Sequence, residues 1–308
     1  MDHFNRKEHF TNPHMEHVRH LPALEELQRR IEEVLESISL DGAGEFKMAT
    51  KVCCYAVGEI VADLNRAILQ SLKIGSYSAA ETLSRTSLEN SINFVQFTKD
   101  LTANTPKSLF SYYFQRTKDR AEKWKLYAER HNQPEGVEGA SGLIESNAYV
   151  KSLFVDLNTK GVKGWPNVFD RFKNSGYEFL YHQLFAPASD STHSFSNDIF
   201  NRYLMEAIPG TDKEREDRFE GQAAEKISFA FYLATHAVQL YCVAASYIAD
   251  RAQDDDAGDK LDIIASILAK MLMEHETLTK KCLDMLAPAK KEAMDRRDNM
   301  HKARESGS

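Results

Sequence analysis

The stretch Tyr77–Asp100, YSAAETLSRTSLENSINFVQFTKD, leaves the chain few places to put it. Wound at about 100° per residue, it is apolar or small over well more than half its circumference. Leu83, Leu88, Ile92, Phe94, Val95 and Phe97 dominate that arc, with Ala and Ser between them. What remains is a narrow polar seam of Thr82, Arg85, Glu89, Asn93 and Gln96. A helix of this kind belongs inside a protein, with only a slit reaching water. Arg85 and Glu89 stand one turn apart in the slit, either as a paired structural device or as part of a site.

A second segment makes the same demand. Ile227–Ala249, ISFAFYLATHAVQLYCVAASYIA, carries no Asp, Glu, Lys or Arg. Its length of roughly 20 residues would cross a bilayer. It also holds Ser228, Thr235, His236, Gln239 and Ser246, acid–base pairs flank both ends, and no positive-inside bias orients it. We read it as a buried central helix, with no membrane partner. Ser228, Tyr232, Thr235, His236, Gln239 and Cys242 fall on one side of it and make a second polar seam. Buried polar groups need partners, since an unsatisfied one costs about 1–3 kcal/mol. The economical expectation is that the two seams face each other or line one cleft. Arg85 then takes Glu89 as its acid, because an enclosed guanidinium cannot shed its proton.

The rest of the chain reads as helix, loop and tail. Residues 1–20 are polar and carry His3, His9, His14, His17 and His20 at irregular spacing, read as a loosely packed arm with a weak metal signal. Residues 21–39 and 46–73 have helical periodicity, with Gly75 as the second stop. A helix over 106–130 begins aromatic (Phe110, Tyr112, Tyr113, Phe114) and turns basic (Arg116, Lys118, Arg120, Lys123, Lys125, Arg130). The Gly- and Glu-rich 131–142 and the charged 209–221 read as loops, with helices at 143–159 and 166–174. No run alternates with period two over enough residues to make a strand. The fold class is therefore all-α: a large bundle-like core domain over 21–250 and a helical extension over 256–305.

In that extension Leu261, Ile264, Leu268, Met271, His275, Leu278, Cys282 and Met285 step by three and four, an a/d seam. It packs on its own core or joins a second copy or another helical protein through 261–286. The formal charge of −7 argues against a general nucleic-acid coat and leaves room for a local basic patch that binds RNA. The four cysteines form no C-x-x-C pair, and the chain shows no secretory h-region, so a reducing cytoplasm is expected. No phosphate loop, H-E-x-x-H, G-x-S-x-G or paired Cys ligands appear, so no metal or cofactor is expected.

Arg85-x-x-x-Glu89-Asn90, then Tyr181-x-x-Leu184, Ser189-x-x-x-His193 and a long apolar helix resemble an uncharacterised group of bacterial all-helical domains. The likeness covers roughly residues 45–250. That group is distantly similar to the HEPN class of helical nucleotide-binding proteins, many of them metal-independent ribonucleases of toxin and phage-defence systems. The resemblance implies an effector with Arg85, Glu89 and His193 as catalytic candidates. Asn93, Tyr232, His236 and Gln239 are the ligand-binding candidates of the two seams. His193 would act as acid or base, and Arg85 would steady a charged phosphorane. The class hallmark, Arg then about four residues then His, occurs at Arg296–His301 in the polar tail, where composition supplies about one match by chance. The competing readings are a non-catalytic scaffold or sensor, and a binder of a small anionic ligand held by Arg85.

Overall fold

The computed structural model describes residues 7–40, 47–153, 162–188, 196–208 and 210–306. It is 89% helical, with no strand among the described residues. Helices α1 (Leu21–Ser37), α2 (Met48–Lys73) and α3 (Tyr77–Lys99) are followed by α4 (Asn104–Arg130) and α5 (Pro134–Leu153). Then come α6 (Val168–Ser175), α7 (Ser196–Ala207), α8 (Asp212–Ala252) and α9 (Asp255–Ser306).

As its composition requires, α3 is interior, packed between α2 and α8. Leu88, Ile92, Val95 and Phe97 are fully enclosed, as are Phe231, Leu233 and Ala234 of α8. The one described helix long and apolar enough to cross a membrane is α8, and 72% of its apolar window is buried inside the protein. Small residues let these helices approach. The position of Gly58 on α2 admits the Phe94 ring, whose Cζ lies 3.3 Å from where a Cβ would stand.

Polar groups inside this core form a continuous chain of hydrogen bonds. Ser87 of α3 donates to Asn65 Oδ1 of α2 at 2.5 Å, and Asn65 Nδ2 donates to Gln28 Oε1 of α1 at 2.9 Å. Gln28 in turn donates to Glu32, which also takes Arg66 at the surface. Every link is satisfied, so the network pins three helices in one register at little desolvation cost.

Three sequence expectations change. Residues 131–142 are largely helical, because α5 starts at Pro134 and its glycines serve packing. A Cβ on Gly136 would sit 2.9 Å from Ala128 Cβ, and one on Gly139 would sit 3.0 Å from Trp124 Cη2, so both let α5 lie against α4. The charged 209–221 supplies the first turns of α8, opened by a capping box in which Thr211 Oγ1 accepts from Glu214 N and Glu214 Oε2 accepts from Thr211 N. The arm is packed from Lys7 to His20, with His14, His17 and His20 buried against α8 and α9. Of the α9 seam, Leu261, Ile264, Leu268, Met271, His275 and Cys282 are buried within the chain, in keeping with a helix packed on its own core.

Candidate functional site

The polar seam of α3 is covered by α6 and by the turns over Glu178–Phe185. Its acid does not pair with Arg85. Glu89 Oε1 instead accepts from Nη2 of Arg171 on α6 at 2.7 Å, and Asn93 Oδ1 accepts from Nη1 of the same guanidinium. Gln96 donates to the Arg171 carbonyl at 3.2 Å. The Arg171 side chain is only 7% exposed against 28% for Glu89, and its Cζ lies 5.4 Å from the Trp165 ring centroid. This bidentate, two-partner lock is the arrangement a planar guanidinium favours when enclosed. Asn167, whose side chain caps α6 by accepting from Asp170 N, sets the helix that delivers Arg171.

Arg85 is left with a different surrounding. Its Cζ lies 4.3 Å from the centroid of the Phe185 ring, and its Nε is buried without a hydrogen-bond partner among the described residues. Phe185 is held by Phe172 at 5.2 Å and by Tyr181 at 5.5 Å between ring centroids, and Leu184 is buried beside it. The residues of the Tyr181-x-x-Leu184 pattern thus support the ring on which Arg85 rests. Ser189 and His193, further along that segment, lie outside the described residues.

The two seams do not share a cleft. The α8 seam turns toward the arm and α9, where it meets a cluster of histidines. His17 Nδ1 and Ser228 Oγ are hydrogen-bonded at 2.7 Å, and the His17 ring lies 3.6 Å from that of His275. His20 is 5.2 Å from His275 and reaches Glu274 through Nε2 at 3.1 Å, while His14 Nδ1 meets the Phe10 carbonyl at 2.7 Å. Tyr232 donates to Glu276 at 3.2 Å and packs on His236 and His275. Neither ring nitrogen of His275 has a hydrogen-bond partner among the described residues.

Burial sets the charge of this cluster. It pushes His17 down to about 4, with help from repulsion by His20 and His14 and against the attraction of Glu274. Burial also lowers His236 to about 4, opposed by Gln239, and it lowers His275 further still, with His17 and His20 adding to the effect. His17, His236 and His275 are therefore neutral near pH 7 and pack as rings. Among the described residues no group of three or more His, Cys, Asp or Glu is arranged to hold a metal ion. A cavity of about 930 Å³ opens beside the cluster, lined in part by His14, Glu81, Ser228, Tyr232 and His275, and not by Arg85, Glu89 or Asn93.

Of the candidates read from the sequence, Glu89 and Asn93 come together, with Arg85 on the same seam. Tyr232, His236 and Gln239 belong to the second region. Arg171 was the residue missed. Its signal was weak, one of two basic residues within VFDRFKNS, a short helix that also carries Phe169 and Phe172. The histidine cluster was missed because its arm members lie more than 200 residues from those on α8 and α9, and only the fold unites them.

No curated protein and no solved structure matches the chain. A family match covers the α3 seam, Arg171 and the intervening helices, and excludes the arm, α8 and α9. Over residues 61–210 the chain is similar to a family of unknown function (DUF5677).

Proposed function

We propose that the protein is a HEPN-like helical effector of a bacterial toxin or phage-defence kind, acting in the cytoplasm on RNA as a metal-independent ribonuclease. The observation that carries this reading is the division of labour between two arginines. Arg171 takes Glu89 and Asn93 for itself. Arg85 keeps its charge on an aromatic platform with no carboxylate partner among the described residues. A guanidinium so placed suits a phosphate, which it can hold through paired N–H donors. Arg85 is then the group that steadies charge on the phosphorus. His193, carried by the segment that continues from Phe185, moves the proton on the 2′-hydroxyl or the leaving oxygen. Glu89 serves the reaction through Arg171, as a positioning residue.

Purified wild type, Arg85→Ala and His193→Ala proteins test this on a labelled RNA. Both variants should stay folded and lose cleavage. The competing reading is a non-catalytic scaffold, and the closed Glu89–Asn93–Arg171 lock favours it. That reading expects no cleavage by the wild type and a marked loss of stability in Arg85→Ala. Retention of a small anion by Arg85 without cleavage would appear as inorganic phosphate raising the melting temperature of the wild type and not of Arg85→Ala.

A further inference from the structure

Helices α4 and α5 pack chiefly on each other, and the hairpin joins the core through the first turns of α4, where Leu109 and Phe110 meet it. The side of α4 turned to α5 is apolar and covered, with Phe114, Ala121 and Ala128 buried. The remaining surface has an unusual composition. Wound at about 100° per residue, Arg116, Arg120, Lys123 and Arg130 fall within roughly one third of the circumference. Tyr112, Tyr113, Trp124 and Tyr127 fall in the same third, and all eight side chains are exposed. The carboxylate of α4 nearest this face by helical angle, Asp119, stands at its edge and accepts from Gln115. Four cations without a carboxylate between them, in a chain of formal charge −7, form a local field of opposite sign.

We infer that this face of α4 binds single-stranded nucleic acid. Along the helix two rings (Tyr112, Tyr113) are followed by three cations (Arg116, Arg120, Lys123), two more rings (Trp124, Tyr127) and Arg130, so a strand laid on it meets both base-stacking and phosphate-binding groups. Tyr112 and Arg116 already stand as a pair, joined by a hydrogen bond with Arg116 Cζ 5.6 Å from the ring centroid, and Tyr127 is tilted against His131 at 4.3 Å. Trp124 lies over Gly139 of α5 with its outer side open. At 1.5 Å per residue, Tyr112 to Arg130 spans roughly 27 Å, long enough for several nucleotides. Stacking on exposed rings selects a strand whose bases are unpaired. A membrane-surface helix, by contrast, turns an unbroken apolar face to lipid. Here the apolar side is occupied by α5, and the open side mixes charge with aromatic rings. This surface is independent of any chemistry at Arg85.

The test uses the full chain and a fluorescein-labelled, mixed-sequence single-stranded RNA of about 20 nucleotides, longer than one site of this kind. Anisotropy titrations run between about 50 and 200 mM salt. We expect saturable binding that weakens with salt. Arg116→Gln, Arg120→Gln and Lys123→Gln together should weaken it more than tenfold and reduce the slope of log K against log salt by about 2, near 0.7 for each phosphate no longer neutralised. Tyr113→Leu with Tyr127→Leu should weaken it about tenfold and leave the slope unchanged. All five positions are exposed, and unchanged helical circular dichroism shows that each variant folds. No binding at about 50 mM salt, or binding that neither variant alters, overturns the proposal. So does a wild type that sediments with phosphatidylcholine–phosphatidylserine vesicles and ignores the oligonucleotide. Binding without RNA cleavage keeps this surface and removes the ribonuclease reading, whereas cleavage together with binding that neither variant alters does the reverse.

Discussion

At the scale of residues, the two arginines at the α3 seam have different surroundings. Arg171 is enclosed and charge-balanced by Glu89, so truncating the acid strands a buried cation. Glu89→Ala should cost about 3 kcal/mol in urea unfolding. Adding Arg171→Met should recover at least about 1 kcal/mol of it, because an apolar side chain of similar reach no longer needs the acid. A double variant no more stable than Glu89→Ala would show that the lock is not what Glu89 contributes. Arg85→Ala should cost only about 1 kcal/mol, the worth of its contact with Phe185.

At the scale of elements, α9 shows how a periodic pattern can be right about burial and silent about the partner. The three–four stepping of Leu261, Ile264 and Leu268 marked residues that are indeed buried, against α8 and α1 of the same chain. Leu268→Asp should therefore unfold the protein, costing more than about 3 kcal/mol, where an oligomer contact would have yielded a folded monomer. Self-association through α9 would have to use its exposed apolar residues, such as Met273 and Leu283. Joint Asp substitution of those two is the variant expected to lower the sedimenting mass of a self-associating wild type. The helices themselves were legible because 3.6-residue periodicity is local. The loops over 131–142 and 209–221 were misread because Gly and charge also serve helix packing and helix starts. Only the positions of Ala128, Trp124 and Glu214 tell which role applies. For the same reason the α3 seam was legible and its cover was not. The polar stripe is written within one helix, but Arg171 arrives from a segment about 80 residues away.

At the scale of the whole molecule, the histidine cluster ties the arm to α8 and α9 and makes folding depend on pH. Around it stand Glu16, Arg19, Glu274, Glu276, Tyr232 and the other imidazoles, His14, His20 and His236. His17 and His236 are lowered from 6.5 to about 4, so between those values the unfolded chain binds protons that the folded one refuses. Stability is then full above about pH 7 and falls as pH drops from 6.5 toward 4, by about 3 kcal/mol for each of the two groups. Glu274, held low by Arg19 and His20, adds to the loss only below its usual 4.5. Urea midpoints at about pH 7.5, 6 and 5 read this directly, and His17→Phe should flatten part of the slope. A midpoint constant across that range would show that the cluster does not carry neutral rings. None of this was visible in the sequence, where five spaced histidines in a polar stretch look like a solvated tail.

The central claim is that Arg85 is the arginine left free to act and Arg171 the one that holds the fold. The most direct measurement is growth and total RNA of a bacterial host expressing the wild type or Arg85→Ala at equal soluble level. The account predicts growth arrest with RNA cleavage for the wild type and neither for Arg85→Ala. Normal growth and intact RNA with the wild type, or an Arg85→Ala protein as damaging as its parent, would contradict it.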